Sequence, residues 1–125
     1  MFKKEICCYL AGPMRGYPNF NFPAFHIAAA KLRSEGYTVF NPAEKDEKEY
    51  GKDIGISPTG NLKTAERKGF SLRKALGMDT AYICAKADCV ALLPGWNESK
   101  GACAEKALAE ALGLEVIFLH KSILN

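Results

Sequence analysis

Three residues with chemically useful side chains or backbones are closely spaced after an apolar segment. Ser99, Gly101 and Glu105 follow the continuous apolar run 89–93, which is typical of a buried strand. Ser99 is a good N-cap, and a helix N-terminus has unpaired N–H groups and a positive dipole that favour an anion. Gly101 would let a ligand approach the backbone, and Glu105 lies about one and a half turns into the helix. Alternatively, Ser99 only caps the helix and Glu105 is one more solvated glutamate.

A second candidate anion site is the loop after another apolar segment, residues 6–11. This loop has the sequence Gly12-Pro13-Met14-Arg15-Gly16. Backbone N–H groups beside two glycines, together with one guanidinium, can bind an anion. An ordinary turn with a surface arginine is the alternative. Neither a Gly-x-Gly-x-x-Gly motif nor a Walker-type Gly-Lys-Ser/Thr motif is present, so dinucleotide or ATP binding in those modes is not expected.

Asn41 and Asp79 are two further polar candidates. Asn41 closes the short predicted strand 37–40, and its amide could contact a base or a sugar. As a turn residue before a proline, it also needs no such function. Asp79 lies in the middle of the helix predicted between Ser71 and Lys86, beside the apolar side of that helix. A carboxylate buried there without a partner would be costly.

The elements that must position these residues alternate between strands and helices. Strands are predicted at 6–11, 37–40, 89–93 and 115–120, and helices at 21–36, 71–86 and 100–112. This alternation predicts a single flavodoxin-like or Rossmann-like α/β domain, with an open parallel sheet of four or five strands flanked by helices. The strand order 2-1-3-4 would place a crevice between the first and third strands, where the loops after the strands meet.

The segment 43–70 is the part of the chain with the weakest pattern. It is highly charged, contains several glycines and a proline, and has little periodicity. A connection of this length in a small domain is usually functional or mobile. We therefore expect 43–70 to be a lid over the crevice or a mobile segment.

The composition narrows the classes of function. The 125 residues are expected to form one domain, and the formal net charge of +3 fits a small anionic ligand better than a nucleic-acid partner. No apolar run is long enough for a membrane helix. The five cysteines include no Cys-x-x-Cys motif, which favours free thiols and a cytoplasmic location. The two histidines are far apart, so neither a metal nor another cofactor is expected.

Several of these motifs together resemble a known superfamily. The segment Tyr9-Leu10-Ala11-Gly12-Pro13-Met14-Arg15-Gly16, Asp79 and the pattern Ser99-x-Gly101-x-x-x-Glu105 resemble the nucleoside 2-deoxyribosyltransferase superfamily. The resemblance is nearest to its 2′-deoxynucleoside 5′-phosphate N-hydrolase branch. The sequence motif Leu-Pro-Gly-Trp-x-x-Ser-x-Gly-Ala also resembles a motif of short phage and bacterial proteins of that superfamily.

The resemblance implies hydrolysis of the N-glycosidic bond of a (deoxy)nucleoside 5′-monophosphate, with release of the free base and (deoxy)ribose 5-phosphate. By motif position, Glu105 would attack or stabilise C1′ of the sugar, with Asp79 as a second acid and Tyr9 near the nucleophile. The loop 12–16, with Ser99 and Gly101, would bind the 5′-phosphate, and Arg15 would be its cationic ligand.

The resemblance is also compatible with two other functions. In addition, it implies that the protein forms a homo-oligomer. A non-catalytic nucleotide sensor could use the same anion site, and a nucleoside deoxyribosyltransferase could use the same acids. A small domain with a lid forms a shallow site, and relatives of this kind complete it with a neighbouring subunit. We therefore expect a homodimer or a higher oligomer.

Overall fold

A four-stranded parallel sheet forms the centre of the fold. In the computed structural model, which describes residues 4–125, the strands are β1 (Cys7–Ala11), β2 (Thr38–Phe40), β3 (Cys89–Leu92) and β4 (Glu115–Phe118). They lie in the order β2-β1-β3-β4, and every neighbouring pair is parallel. The predicted α/β fold, with a parallel sheet of this order, is therefore confirmed.

The two central strands are the most deeply buried part of the sheet. All four residues of β3 are buried, as are four of the five residues of β1. Their continuous apolar sequences suit strands that are covered on both faces. By contrast, β4 lies at an edge, where Phe118 is 59% exposed. The predicted site residues that follow β1 and β3 are therefore attached to the two most deeply buried strands.

Among the described residues, five helices accompany the sheet and flank it. They are α1 (Phe22–Ser34), α2 (Pro42–Tyr50), α3 (Leu62–Arg67), α4 (Leu72–Ala85) and α5 (Lys100–Ala111). The predicted caps are present at two of them, because the Ser71 hydroxyl accepts from the Lys74 N–H and the Ser99 hydroxyl accepts from the Ala102 N–H. Within residues 4–125, none of the helices is long and apolar enough to cross a membrane.

The start of α1 differs in detail from the sequence prediction. Asn21 precedes the helix with a left-handed backbone (φ 61°) and makes no side-chain cap bond. Its Nδ2 group instead donates to the Pro13 carbonyl at 3.0 Å. Asn21 therefore fastens the loop after β1 to the beginning of α1.

The segment 43–70 is largely structured. It contains most of α2, a 3₁₀ turn (Lys52–Gly55) and α3. Ile54 and Ala65 are buried in the same apolar cluster as Phe25 of α1. The segment is thus packed against the domain, and its opening as a lid stays a prediction.

The five cysteines are free thiols, as expected. Cys8 and Cys89 are buried on neighbouring strands and are register partners, whereas Cys84 is exposed on α4. Buried cysteine behaves as a small apolar residue, which explains its use in the two central strands.

Gly12, the first residue after β1, is held in tight contact with the chain after β3. A Cβ atom at this position would lie 2.7 Å from the Cβ of Leu93. We predict that Gly12→Ala lowers the free energy of unfolding by about 1–3 kcal/mol, because β1 and β3 must separate to admit the methyl group. Urea denaturation followed by circular dichroism measures this loss.

Gly77→Ala is the matched control, because Gly77 lies inside α4 and a Cβ there would meet nothing within 4 Å. It should stabilise the protein by up to about 1 kcal/mol through helix propensity. Equal stability of the two variants would contradict the close contact at Gly12.

Candidate functional site

A cavity of about 580 Å³ opens at the carboxyl ends of β1 and β3. The chain leaves β1 towards β2 on one side and leaves β3 towards β4 on the other, so the two connections diverge and leave a crevice between them. The volume is within the range of small-molecule sites. Every predicted site residue except Asn41 lines this cavity: Tyr9, Gly12, Pro13, Met14, Arg15, Gly16, Asp79, Ser99, Gly101 and Glu105.

Tyr9 and Glu105 form a buried hydrogen-bonded pair in the cavity. The Tyr9 hydroxyl donates to Oε2 of Glu105 at 2.5 Å. Tyr9 is 1% exposed and Glu105 is 6% exposed. The Tyr9 ring stacks on Phe40 with a centroid distance of 5.5 Å, so the position of the phenol is fixed by β2 as well as β1. The glutamate suggested by the helix spacing is therefore not a solvated surface residue.

Burial changes the proton affinity of Glu105. Desolvation raises the pKa of its carboxyl group to about 8, and the negative charge of Asp79 adds to this rise. The Tyr9 hydrogen bond and the Lys45 charge act in the opposite direction. In the unliganded protein, Glu105 therefore holds a proton at neutral pH and becomes charged near pH 8.

Asp79 has the partner that a buried carboxylate requires. Lys45 of α2 donates to Oδ1 of Asp79 at 2.7 Å. Burial still raises the pKa of Asp79, although the Lys45 hydrogen bond opposes the rise. Burial lowers the pKa of Lys45, but its contacts with Asp79 outweigh this and leave a net increase. Lys45 and Asp79 thus form a largely buried ion pair near Glu105, and their opposite charges shift the pKa of Glu105 in opposite directions.

Lys45 and its neighbour Asp46 were not identified from the sequence. Asp46 is 4% exposed and also lines the cavity. Burial raises its pKa to about 6, against the effect of Lys45. The two residues follow the Asn-Pro dipeptide that begins α2, but their functional neighbours come from distant parts of the chain. The sequence carried no local signal for them.

The other lining groups include cations and unpaired N–H donors. Ser99 accepts from the Ala102 N–H through its hydroxyl and from the Cys103 N–H through its carbonyl. The N–H groups of Lys100 and Gly101, at the start of α5, find no acceptor within residues 4–125. A Cβ at Gly101 would meet only the Ser99 hydroxyl, at 3.9 Å, so the backbone is open to a ligand. This arrangement suits an anion.

The loop after β1, residues 12–16, has one N–H group that stabilises the loop itself and others that could bind a ligand. The Gly16 N–H donates to the Gly60 carbonyl at 2.9 Å, so it supports the loop. The N–H groups of Met14 and Arg15, by comparison, have no acceptor in the described part of the chain. The exposed Arg15 side chain also has no carboxylate within 4 Å there. Its guanidinium is therefore available to a ligand.

Asn41 lies apart from the other predicted site residues. It is 3% exposed, and its Oδ1 accepts from the Ala43 N–H at 2.9 Å, which caps α2. Its Nδ2 lies 3.2 Å from Nδ1 of His26. The side chain thus caps α2 and contacts His26 of α1.

Most of the sequence matches the model of one protein family. A family model described as Domain of unknown function (DUF4406) matches residues 6–118. The chain belongs to this family. No curated protein and no solved structure matches the chain significantly.

The burial of Glu105 predicts an unusual dependence of stability on pH. Its pKa rises from an ordinary value of 4.5 to about 8 on folding, so its contribution to stability is fully present below pH 4.5 and is lost as the pH rises through 8. Glu105→Gln does not titrate. Its free energy of unfolding should therefore exceed that of the wild type by a margin that grows between these pH values, to up to about 5 kcal/mol.

Denaturant titrations at pH 5 and pH 9 measure this margin. Glu110→Gln is the control, because Glu110 is exposed on the same helix and its one ion pair within residues 4–125 is with Lys106. It should change stability by less than about 0.5 kcal/mol at either pH. A margin for Glu105→Gln that does not vary with pH would refute the raised pKa.

Proposed function

We propose that this member of the DUF4406 family hydrolyses the N-glycosidic bond of a (deoxy)nucleoside 5′-monophosphate, releasing the base and (deoxy)ribose 5-phosphate. One observation carries the proposal. Buried acids suited to sugar chemistry, Glu105 and Asp79, line the same cavity as Arg15, which forms no ion pair within residues 4–125, and the open N-terminus of α5. A nucleoside monophosphate needs both kinds of group, one for C1′ and one for the phosphate.

The phosphate would bind at the cationic part of the cavity. Arg15 can form charge-assisted hydrogen bonds to a phosphate, and the free N–H groups of Lys100 and Gly101 can donate to further oxygens. The dipole of α5, a helix of 12 residues, adds a favourable field at the same place. Anchoring the phosphate would orient the sugar towards the acids, and such orientation lowers the barrier of the chemical step.

The reacting carbon would lie against Glu105. As the bond between C1′ and the base nitrogen breaks, its electron pair leaves with the base and positive charge develops on the sugar. The ionised Glu105 carboxylate stabilises that charge or bonds to C1′. Water then adds at C1′, which breaks the bond to Glu105 where one has formed, and the proton that the water loses returns to the pair of acids, leaving the sugar phosphate. Tyr9 donates to Oε2 of Glu105 and thereby orients the carboxylate.

The departing base needs a proton, and the coupled acids hold one. In the unliganded protein the proton lies on Glu105, while Lys45 favours the charged form of Asp79. Catalysis requires that Glu105 be charged and that the base be protonated. Transfer of this proton through Asp79 to the base nitrogen meets both needs, and it requires one proton shared by the two acids.

The proposal includes a homodimer. Leu72 and Met78 of α4 are 39% and 41% exposed, and Leu72 also lines the cavity. A second subunit that covers Leu72 would remove this apolar side chain from water and narrow the opening of the cavity. The site would then be formed between two subunits.

A panel of nucleoside and deoxynucleoside 5′-monophosphates tests the activity directly. The protein is incubated with each compound, and the free base is measured by chromatography. We expect release of base without any added acceptor. Release only when an acceptor base is present would indicate a transferase, and tight binding without turnover would indicate a nucleotide sensor.

Glu105→Gln should separate turnover from binding. The amide keeps the shape and can still accept from Tyr9, but it cannot provide the negative charge at C1′. Turnover should fall by about 10²-fold or more, while the dissociation constant of the nucleotide stays similar or decreases. Glu110→Gln is again the control and should keep full activity. Full activity of Glu105→Gln would exclude the assigned role.

Arg15→Ala should act mainly on binding of the phosphate. It removes a charge-assisted contact worth roughly 1.5–3 kcal/mol, so KM for a monophosphate should rise about ten- to a hundredfold. The unphosphorylated nucleoside should be nearly unaffected. Arg67→Ala, at an exposed position of α3 outside the cavity lining, is the control. If the wild type processed nucleoside and monophosphate equally well, the phosphate site would be wrongly assigned.

A further inference from the structure

Lys45 pairs with acids of the cavity but does not line the cavity itself. Its Nζ atom donates to Oδ1 of Asp79 at 2.7 Å and to the Ala75 carbonyl at 3.4 Å, and it lies 3.4 Å from Oδ1 of Asp46. The side chain of Lys45 is only 12% exposed. Both acids are among the lining residues, whereas Lys45 is not. Lys45 therefore acts on the cavity through the acids that it contacts.

Asp79 is surrounded by titratable and charged groups from three neighbouring elements. Lys45 and Asp46 interact with it from α2, Tyr9 from β1 and Glu105 from α5. Burial raises the pKa of Asp79, and the hydrogen bond and the charge of Lys45 oppose this rise. Among these neighbours, Lys45 is the only cation. The ionised form of Asp79 therefore depends on the contact with Lys45.

The proposed mechanism requires that Asp79 be ionised before the reaction starts. Glu105 holds the shared proton in the unliganded protein, and Asp79 must accept that proton before it passes to the base nitrogen. If Asp79 already carried a proton of its own, Glu105 could not transfer its proton, and no negative charge would form beside C1′. A cation bonded to one oxygen of Asp79 prevents this and also fixes the orientation of the carboxylate.

We propose that Lys45 is a positioning residue of the active site, which acts through its hydrogen bond to Oδ1 of Asp79 and keeps this acid able to accept the proton of Glu105. This inference rests on the proposed function, because it concerns the proton transfer in that reaction. Lys45 lies outside the cavity lining, so its removal affects the chemical step and leaves substrate binding almost unchanged.

Lys45→Met tests the role by removing the charge and the hydrogen bond while keeping a long side chain. Without the cation, Asp79 takes up a proton at a higher pH than in the wild type. Both acids are then protonated at low pH, and turnover recovers only when the pH is high enough to leave one proton on the pair. We expect kcat to be about tenfold or more below the wild type at pH 6 and within about threefold of it at pH 8.

The ratio of variant to wild type is the quantity to compare, because ionisation of the phosphate of the substrate affects both proteins equally. KM should stay within about threefold of the wild-type value at both pH values. A ratio of kcat values that is the same at pH 6 and pH 8 would mean that Lys45 only supports the structure, and it would overturn the inference.

Two control variants separate loss of the cation from loss of structure. Lys74→Met breaks the ion pair with Glu49, which also joins α4 to α2 but lies outside the cavity lining. It should leave the pH dependence of kcat unchanged. Lys45→Arg keeps a positively charged donor, so its pH dependence should follow the wild type, although the larger head group fits the site less well.

Titration of the carboxyl groups tests the inference without any measurement of activity. Carbon-13 NMR of protein labelled at the side-chain carboxyl groups follows each acid, with signals assigned from Asp79→Asn and Glu105→Gln. In the wild type, Asp79 should ionise at a lower pH than Glu105, and this order is measured with Lys45 in place. In Lys45→Met, the midpoint of Asp79 should move to higher pH by about one pH unit or more, and further than that of Glu105.

The outcomes separate this inference from the proposed function. If the wild type releases base and the midpoint of Asp79 does not move in Lys45→Met, the role of Lys45 is overturned and the activity stands. If the midpoint moves as expected and the wild type releases no base, the control of Asp79 by Lys45 stands and the hydrolase fails. Ionisation of Asp79 above the pH of Glu105 in the wild type overturns the role of Lys45, whether or not base is released.

Discussion

The parallel pairing of β1 with β3 is the contact on which the rest of the structure depends. Its register places Ala11 opposite Leu92, so both strands end at the same level and the chains that follow them start side by side. The close approach of Gly12 to Leu93 continues this contact beyond the sheet. Because β1 and β3 are adjacent, Tyr9 can reach Glu105, which lies 96 residues later in the chain. A shift of register by one residue would turn Tyr9 to the opposite face and remove the pair.

Burying the acids of the cavity costs this small domain free energy, because their charged forms lose solvation by water. Three acids, Asp46, Asp79 and Glu105, are almost completely buried near a single lysine. The domain cannot neutralise all of them with Lys45, so burial raises the pKa of each acid and Glu105 keeps its proton at neutral pH. Such a group of interacting acids is a common feature of catalytic sites, where different proton affinities allow one acid to be charged while another carries a proton.

The strand and helix pattern was predictable because it depends on local sequence. Buried parallel strands require continuous apolar runs, and the caps of α4 and α5 require serines directly before each helix, so both are visible in a short window. The site residues of the two loops and of α5 could be predicted together, because parallel strands end at one edge of the sheet. The segment 43–70 could not be resolved into its helices. Its periodicity is weak, and α3 has only six residues, so tertiary packing stabilises these elements.

The sequence by itself determined the order of the sheet, the position of the crevice and the identity of ten of the residues that line it. Only the tertiary structure decided how those residues are used. Asn41 follows a strand end as predicted, yet its amide caps α2. Lys45 lies in a charged segment without pattern, yet it pairs with an acid 34 residues away. The pairing of Lys45 cannot be read locally, since a polar side chain takes whichever partner packing brings within hydrogen-bond distance, and burial makes that choice obligatory.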